Sequence, residues 1–130
     1  MKHHDVDSKF ESFLLCHGAV LDSSSGAEYR DVARAYFLSY LPEDLEEEMY
    51  LAMMVFSRFL IRRLVNLETL YDARGDHRSF QYLRSKQHRR YTKARRILES
   101  LIRQRGAEVP SFVGLAPERP KEPLPCATNA

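Results

Sequence analysis

The spacing of apolar residues specifies an all-α domain: a long antiparallel helical hairpin with two shorter helices packed on it, followed by a Pro-rich C-terminal tail. Three observations carry this. Apolar side chains recur three and four residues apart through most of the first 105 positions, the period of one helical face. Runs of alternating β-branched residues are missing, as are Asn-Gly and Asp-Gly turns, so neither strands nor tight hairpins are signalled. Five of the six prolines, Pro110 to Pro125, come after residue 109, and proline is the residue that breaks helices.

A first helix is expected from Val6 to Cys16, with Phe10, Phe13 and Leu14 on one face and Gly18 as its stop. A second begins in the cluster Ser23, Ser24, Ser25, where Ser25 and Glu28 fit a capping box. It carries Tyr29, Val32, Ala33, Tyr36, Phe37 and Tyr40 as an apolar stripe. Pro42 reads as the first position of a third helix, with Glu43, Asp44, Glu46, Glu47 and Glu48 placed to complement the positive end of its dipole. That helix runs to about Tyr71. After a turn at Gly75, a fourth is expected from Ser79 to Gln104, closed by Gly106. Residues 1–106 thus form the helical domain and 107–130 the flexible tail. At 130 residues and 44% hydrophobic composition, the chain suits one domain of ordinary size.

The third helix is apolar on two sides. Leu45, Met49, Met53, Phe56, Leu60, Leu64, Leu67 and Tyr71 form one stripe; Leu51, Met54, Val55, Ile61 and Val65 point away from it, with Phe59 on the flank. The fourth helix can cover one side with Phe80, Leu83, Tyr91, Ala94, Leu98 and Leu101, and the first two helices the other. Any part left over is a self-association surface, expected around Leu51, Val55 and Phe59. Arg63 falls in the sector facing the fourth helix and must carry its charge to solvent or to a carboxylate.

The net charge of +2 conceals a strong asymmetry. Met1 to Ala73 holds seven basic and thirteen acidic residues; Arg74 to Arg105 holds eleven basic and two acidic. In a hairpin turning near Gly75, residue i lies opposite about 151 − i. Glu46, Glu47 and Glu48 then reach the level of Arg103 and Arg105, whereas Arg58, Arg62 and Arg63 fall beside Arg84 to Lys93, where basic meets basic. Lys86, Arg89, Lys93 and Arg96, spaced three, four and three apart, line the outward face of the fourth helix, with Arg84, Arg90 and Arg95 flanking. Cations about 5–6 Å apart with no local acid favour a polyanion, and phosphate backbones provide one. The candidate anion-binding residues are therefore Arg58, Arg62, Arg84, Lys86, Arg89, Arg90, Lys93 and Arg96. The partner would be nucleic acid bound without sequence readout, or an acidic protein. Ordinary solvation of the face is the bland alternative.

Catalytic signatures are not found. The chain has no Gly-rich phosphate loop, no His-Glu-x-x-His and no Cys-x-x-Cys, and no cofactor or metal is implied. Cys16 and Cys126 lie too far apart to suggest a disulfide framework or a zinc site. Met1 to Lys9 is polar, unlike a secretory signal. Arg58, Arg62 and Arg63 interrupt the best apolar stretch before it reaches the roughly 18 residues of a membrane span. A cytoplasmic, non-enzymatic accessory protein with no membrane partner is expected. The alternative is a self-associating helical adaptor, a homo-oligomer built through the third helix.

The segment Leu14-Leu15-Cys16-His17-Gly18-Ala19-Val20-Leu21, the helix ending in Leu41-Pro42, and Glu47-Glu48-Met49 resemble a group of small bacterial helical proteins of unknown function. Ser57-Arg58, Arg62 or Arg63, and Glu68 occupy the places where that group carries Trp-Arg, a further Arg, and Glu. This chain has no tryptophan and lacks the basic, Gly-rich N-terminal extension common in the group. The resemblance covers Leu14 to Arg105 and implies a bacterial helical protein with no assigned activity.

Overall fold

The structure, a computed structural model, describes residues 2–17, 23–70 and 77–110. They form four helices, α1 (Lys2–His17), α2 (Ser23–Tyr40), α3 (Leu45–Leu70) and α4 (His77–Gln104), with no strand among the described residues. The architecture is the all-α, four-helix one expected, and the stop placed at Gly18 and the turn placed at Gly75 lie outside the described residues. α3 and α4 pair along their lengths as an antiparallel hairpin. Glu47, early in α3, meets Arg105 just past α4, and Glu68, late in α3, meets Arg84 early in α4. That register is within one residue of the expected one.

Helix ends move where side chains decide them. α1 begins at Lys2, ahead of the expected Val6. α2 starts at Ser23, and Glu28, expected to close a capping box with Ser25, lies 3.8 Å from Arg62 of α3. α3 starts at Leu45 and not at Pro42. Asp44 is its cap: the Glu47 N–H donates to Asp44 Oδ1 at 2.8 Å, and the Glu43 N–H donates to Glu47 Oε1 at 3.3 Å. This is the reciprocal logic of a capping box, and it leaves Glu46, Glu47 and Glu48 in the first turn. α4 ends in a Schellman motif: Gly106, at φ 80°, donates to the Arg103 carbonyl and Ala107 donates to the Ile102 carbonyl. The chain was expected to leave the domain here, yet Ala107 and Val109 lie against the core. Residues 111–130 of the Pro-rich segment lie outside the described residues.

Pro42 belongs to the α2–α3 link. Before it, Leu41 takes φ 45° and donates its N–H to the Phe37 carbonyl at 2.9 Å, a helix ending that ordinarily recruits glycine. A Cβ in the left-handed region costs about 1 kcal/mol, and the Leu41 side chain is half exposed. Leu41→Gly is therefore expected to raise the urea midpoint by about 1 kcal/mol of stability. Leu41→Ala, which keeps the Cβ, is expected to give no gain.

α3 is the axis of the domain. α4 covers the side carrying Glu47, Met54, Ile61 and Glu68. α2 covers the neighbouring side, where Tyr29 meets the Phe59 ring edge-on at 5.4 Å and Glu28 meets Arg62. α1 closes over α2, with Phe10 and Phe13 at 5.5 and 5.3 Å from Phe37 and ion pairs Glu11–Arg30 and Asp7–Arg34 outside them. The core is thus Phe10 and Phe13 of α1 and Tyr29, Ala33, Tyr36, Phe37 and Tyr40 of α2 against Leu51, Met54, Val55 and Phe59 of α3 and Tyr91, Ala94, Leu98 and Ile102 of α4.

Two expectations are corrected by this arrangement. Leu51, Val55 and Phe59, expected at a self-association surface, are 0%, 0% and 1% exposed, because α2 and α4 settle on adjacent sides of α3 and meet over these residues. The other stripe, Leu45 to Leu67, is the open one. On α4, Leu83 is exposed and Phe80 and Leu101 are half-buried, while Arg84, Gln87 and Ile102 fill the seam. Continuing the spacing of Tyr91, Ala94 and Leu98 in both directions leads to those three positions. Arg63 accordingly lies on the open side, its guanidinium 5.7 Å from the centre of the Phe59 ring.

Candidate anion-binding face

Because α4 is covered by α3 along one side, its opposite side faces outward for its whole length. Lys86, Arg89, Lys93 and Arg96 repeat there at three- and four-residue intervals. Arg89, Lys93 and Arg96 are exposed and Lys86 is half-buried. Arg89, Lys93 and Arg96 share a shallow hollow with His88, Thr92 and Ile97. Arg90 is exposed on the flank.

The acidic residues that form ion pairs do so elsewhere. Glu11 and Asp7 serve α2 arginines, Glu28 faces Arg62, Glu43 and Glu47 hold Arg105, and Glu68 holds Arg84. Glu99, the one carboxylate on α4, takes Arg95 at 2.8 Å and Arg103 at 3.7 Å. Among the described residues, no carboxylate comes within ion-pair distance of Arg78, Lys86, Arg89, Arg90, Lys93 or Arg96. Among the described residues nothing offsets the mutual repulsion along this row, which leaves its screening to ions in solution.

Three expected members stand apart from the row. Arg84 is 8% exposed and sits in the α3–α4 seam, its guanidinium 2.9 Å from Glu68; it neutralises an internal acid. Arg62 is tied to α2 through Glu28. Arg58 is half-buried near the Tyr36–Tyr91 pair. Sequence reasoning also missed two residues that belong. Arg78 and Tyr82 extend the row backward from Lys86 at intervals of four, and Tyr82 is 61% exposed. Tyr91, expected on the apolar side that covers the third helix, is a core residue. The signal for Arg78 and Tyr82 was the same spacing, carried two turns further.

Behind the row lies a buried tyrosine cluster. The Tyr36 and Tyr91 hydroxyls meet at 2.8 Å, and Tyr40 stacks on Tyr36. Burial pushes Tyr36 and Tyr91 above the ordinary tyrosine range, against a smaller opposing pull from Arg58, and pushes Tyr40 up to about 12. Above pH 10 the unfolded chain ionises these phenols while the folded chain keeps them neutral. Their contribution to stability is expected to be flat below about pH 9. Between pH 10 and 12 it should fall by about 1.4 kcal/mol per pH unit for each tyrosine held neutral. Urea midpoints taken beside tyrosinate absorbance check this, and Tyr40→Phe should remove one tyrosine's share of the slope.

A second hollow, at the end of the bundle where α1, the α2–α3 link and the chain after α4 converge, is lined by Lys9, Glu43, Glu48, Arg105 and Glu108. It mixes charges and presents no single-sign site. Among the described residues, no group of three or more His, Cys, Asp or Glu side chains is placed to hold a metal ion, and no helix is long and apolar enough to cross a membrane. No protein family, curated protein or solved structure matches the chain.

Proposed function

We propose that this is a non-enzymatic accessory protein of the cytoplasm that binds the phosphate backbone of nucleic acid through the outward face of α4. One observation carries the reading: a row of cations, Arg78, Arg89, Lys93 and Arg96 exposed and Lys86 half-buried, without a carboxylate partner among the described residues, while Arg84, Arg95 and Arg105 each hold a glutamate. The row runs straight for roughly 27 Å at 1.5 Å per residue, which suits a continuous polyanion better than a compact acidic loop. Tyr82 and Thr92 offer a ring and a hydroxyl beside it. Among the described residues no short recognition helix is placed to enter a groove, so contacts go to phosphates and follow shape, with little base readout.

Titration of the full chain with generic duplex DNA and generic RNA at low salt tests the reading. Both are expected to bind. With four cations engaged, log K for duplex DNA should fall against log salt with a slope of about −4. Absence of binding to either at low salt overturns the proposal; binding confined to an acidic polypeptide would transfer the face to a protein partner.

A further inference from the structure

We propose that the polyanion this face receives is a single strand, with one of its bases stacked on Tyr82. The proposal rests on the anion-binding reading and adds a substrate class to it. Among the described residues Tyr82 is the one exposed tyrosine, at 61%; Tyr29, Tyr36, Tyr40 and Tyr91 belong to the core. Tyr82 stands instead in the cationic row, one turn after Arg78 and one turn before Lys86. The other side chains one turn away on α4 are Ser79 and Ser85, both exposed. Its neighbours along the helix face are thus two cations and two hydroxyls, without a carboxylate or an apolar side chain. Among the described residues no ring and no guanidinium stacks on it. The row therefore holds one aromatic face open to solvent.

This placement suits a strand better than a duplex. Arg78 and Lys86 lie about 12 Å apart along the axis, with the ring midway between them. A backbone whose phosphates meet these two cations carries the intervening bases past Tyr82. In a single strand those bases can turn onto the ring, whereas in a duplex they are already stacked on their neighbours. Stacking is tolerant of sequence because every base has a π-face, in keeping with contact to phosphates and little base readout. Charge alone gives the opposite preference. Each contact contributes about 0.9 to the log–log slope for duplex DNA and about 0.7 for single strands. For four contacts at 0.1 M salt that difference favours the duplex by about sixfold, and one stacked base, worth about tenfold or more, offsets it.

The test compares an oligothymidylate with a duplex of equal length, each titrated with the full chain and with Tyr82 variants. At 0.1 M salt the single strand is expected to bind the unaltered chain at least as tightly as the duplex does. Tyr82→Ala should lower single-strand affinity by about tenfold or more and leave its salt slope unchanged, because no ionic contact is lost. Duplex affinity and the helical circular dichroism should stay as they were, and Tyr82→Phe should retain single-strand binding. If both nucleic acids bind and Tyr82→Ala weakens neither, or both equally, the stacking proposal is overturned and the phosphate contacts stand. A duplex that binds the unaltered chain more tightly than the single strand overturns it as well. If neither binds at low salt, the anion-binding reading beneath it fails.

Discussion

Replacing Lys86, Arg89, Lys93 and Arg96 together by alanine is expected to lower the affinity for duplex DNA by about three orders of magnitude at 0.1 M salt, with no loss of folding stability. The size follows from counterion release: each phosphate neutralised contributes about 0.9 to the log–log slope, and four lost contacts compound over the tenfold interval between 1 M and 0.1 M salt. The unchanged stability follows from the structure. These side chains lie on the outer side of α4 and make no ion pair among the described residues. Alanine is the strongest helix former, and the exchange relieves like-charge repulsion. Anisotropy of a labelled duplex, with a thermal melt of the same protein, reads both. An unchanged affinity would move the anion site off α4.

The second large effect is on stability. Arg105→Ala is expected to destabilise the domain by about 3 kcal/mol in urea denaturation, well beyond an ordinary surface charge. Glu47 is 2% exposed and uses both carboxylate oxygens: Oε1 accepts the Glu43 N–H and Oε2 accepts from Arg105 Nε at 2.8 Å. Arg105 also reaches Glu43. This knot joins the start of α3 to the end of α4, and removing the guanidinium leaves a buried carboxylate without its cation. The double variant Arg105→Met with Glu47→Gln should be milder than Arg105→Ala alone, because it leaves no buried charge and keeps an acceptor for the Glu43 N–H. A loss below about 1 kcal/mol for Arg105→Ala would mean that the knot behaves as an exposed pair.

Much of this domain was legible in its spacing. The four helices, the hairpin and its register follow from apolar periodicity, and the basic row follows from the same period applied to charge. The errors have one physical origin: a helical wheel tells which side chains share a face, not where neighbouring helices lie. α3 is apolar all round its middle, so its pattern alone could not choose between burying Leu51, Val55 and Phe59 and burying Met49, Met53 and Phe56. The aromatic stripe of α2, with Tyr29 over Phe59, made that choice. Arg84 follows Leu83 in the chain, and hydropathy favoured the leucine for the seam; Glu68, sixteen residues upstream, made the arginine acceptable there. Arg62 met Glu28 because α2 crosses α3 at that level, information absent from either helix taken alone.

The central claim is that the outward cations of α4 are available to a polyanion because no carboxylate holds them, and adjacent residues test it. Arg95 is held by Glu99 at 2.8 Å, whereas Arg96 has no such partner among the described residues. Arg95→Gln and Arg96→Gln change net charge equally. The salt dependence of duplex DNA binding should lose about 0.9 of its log–log slope in Arg96→Gln and keep its full slope in Arg95→Gln. Equal losses in the two variants would contradict the account, since binding would then follow overall charge and not the row that the fold leaves open.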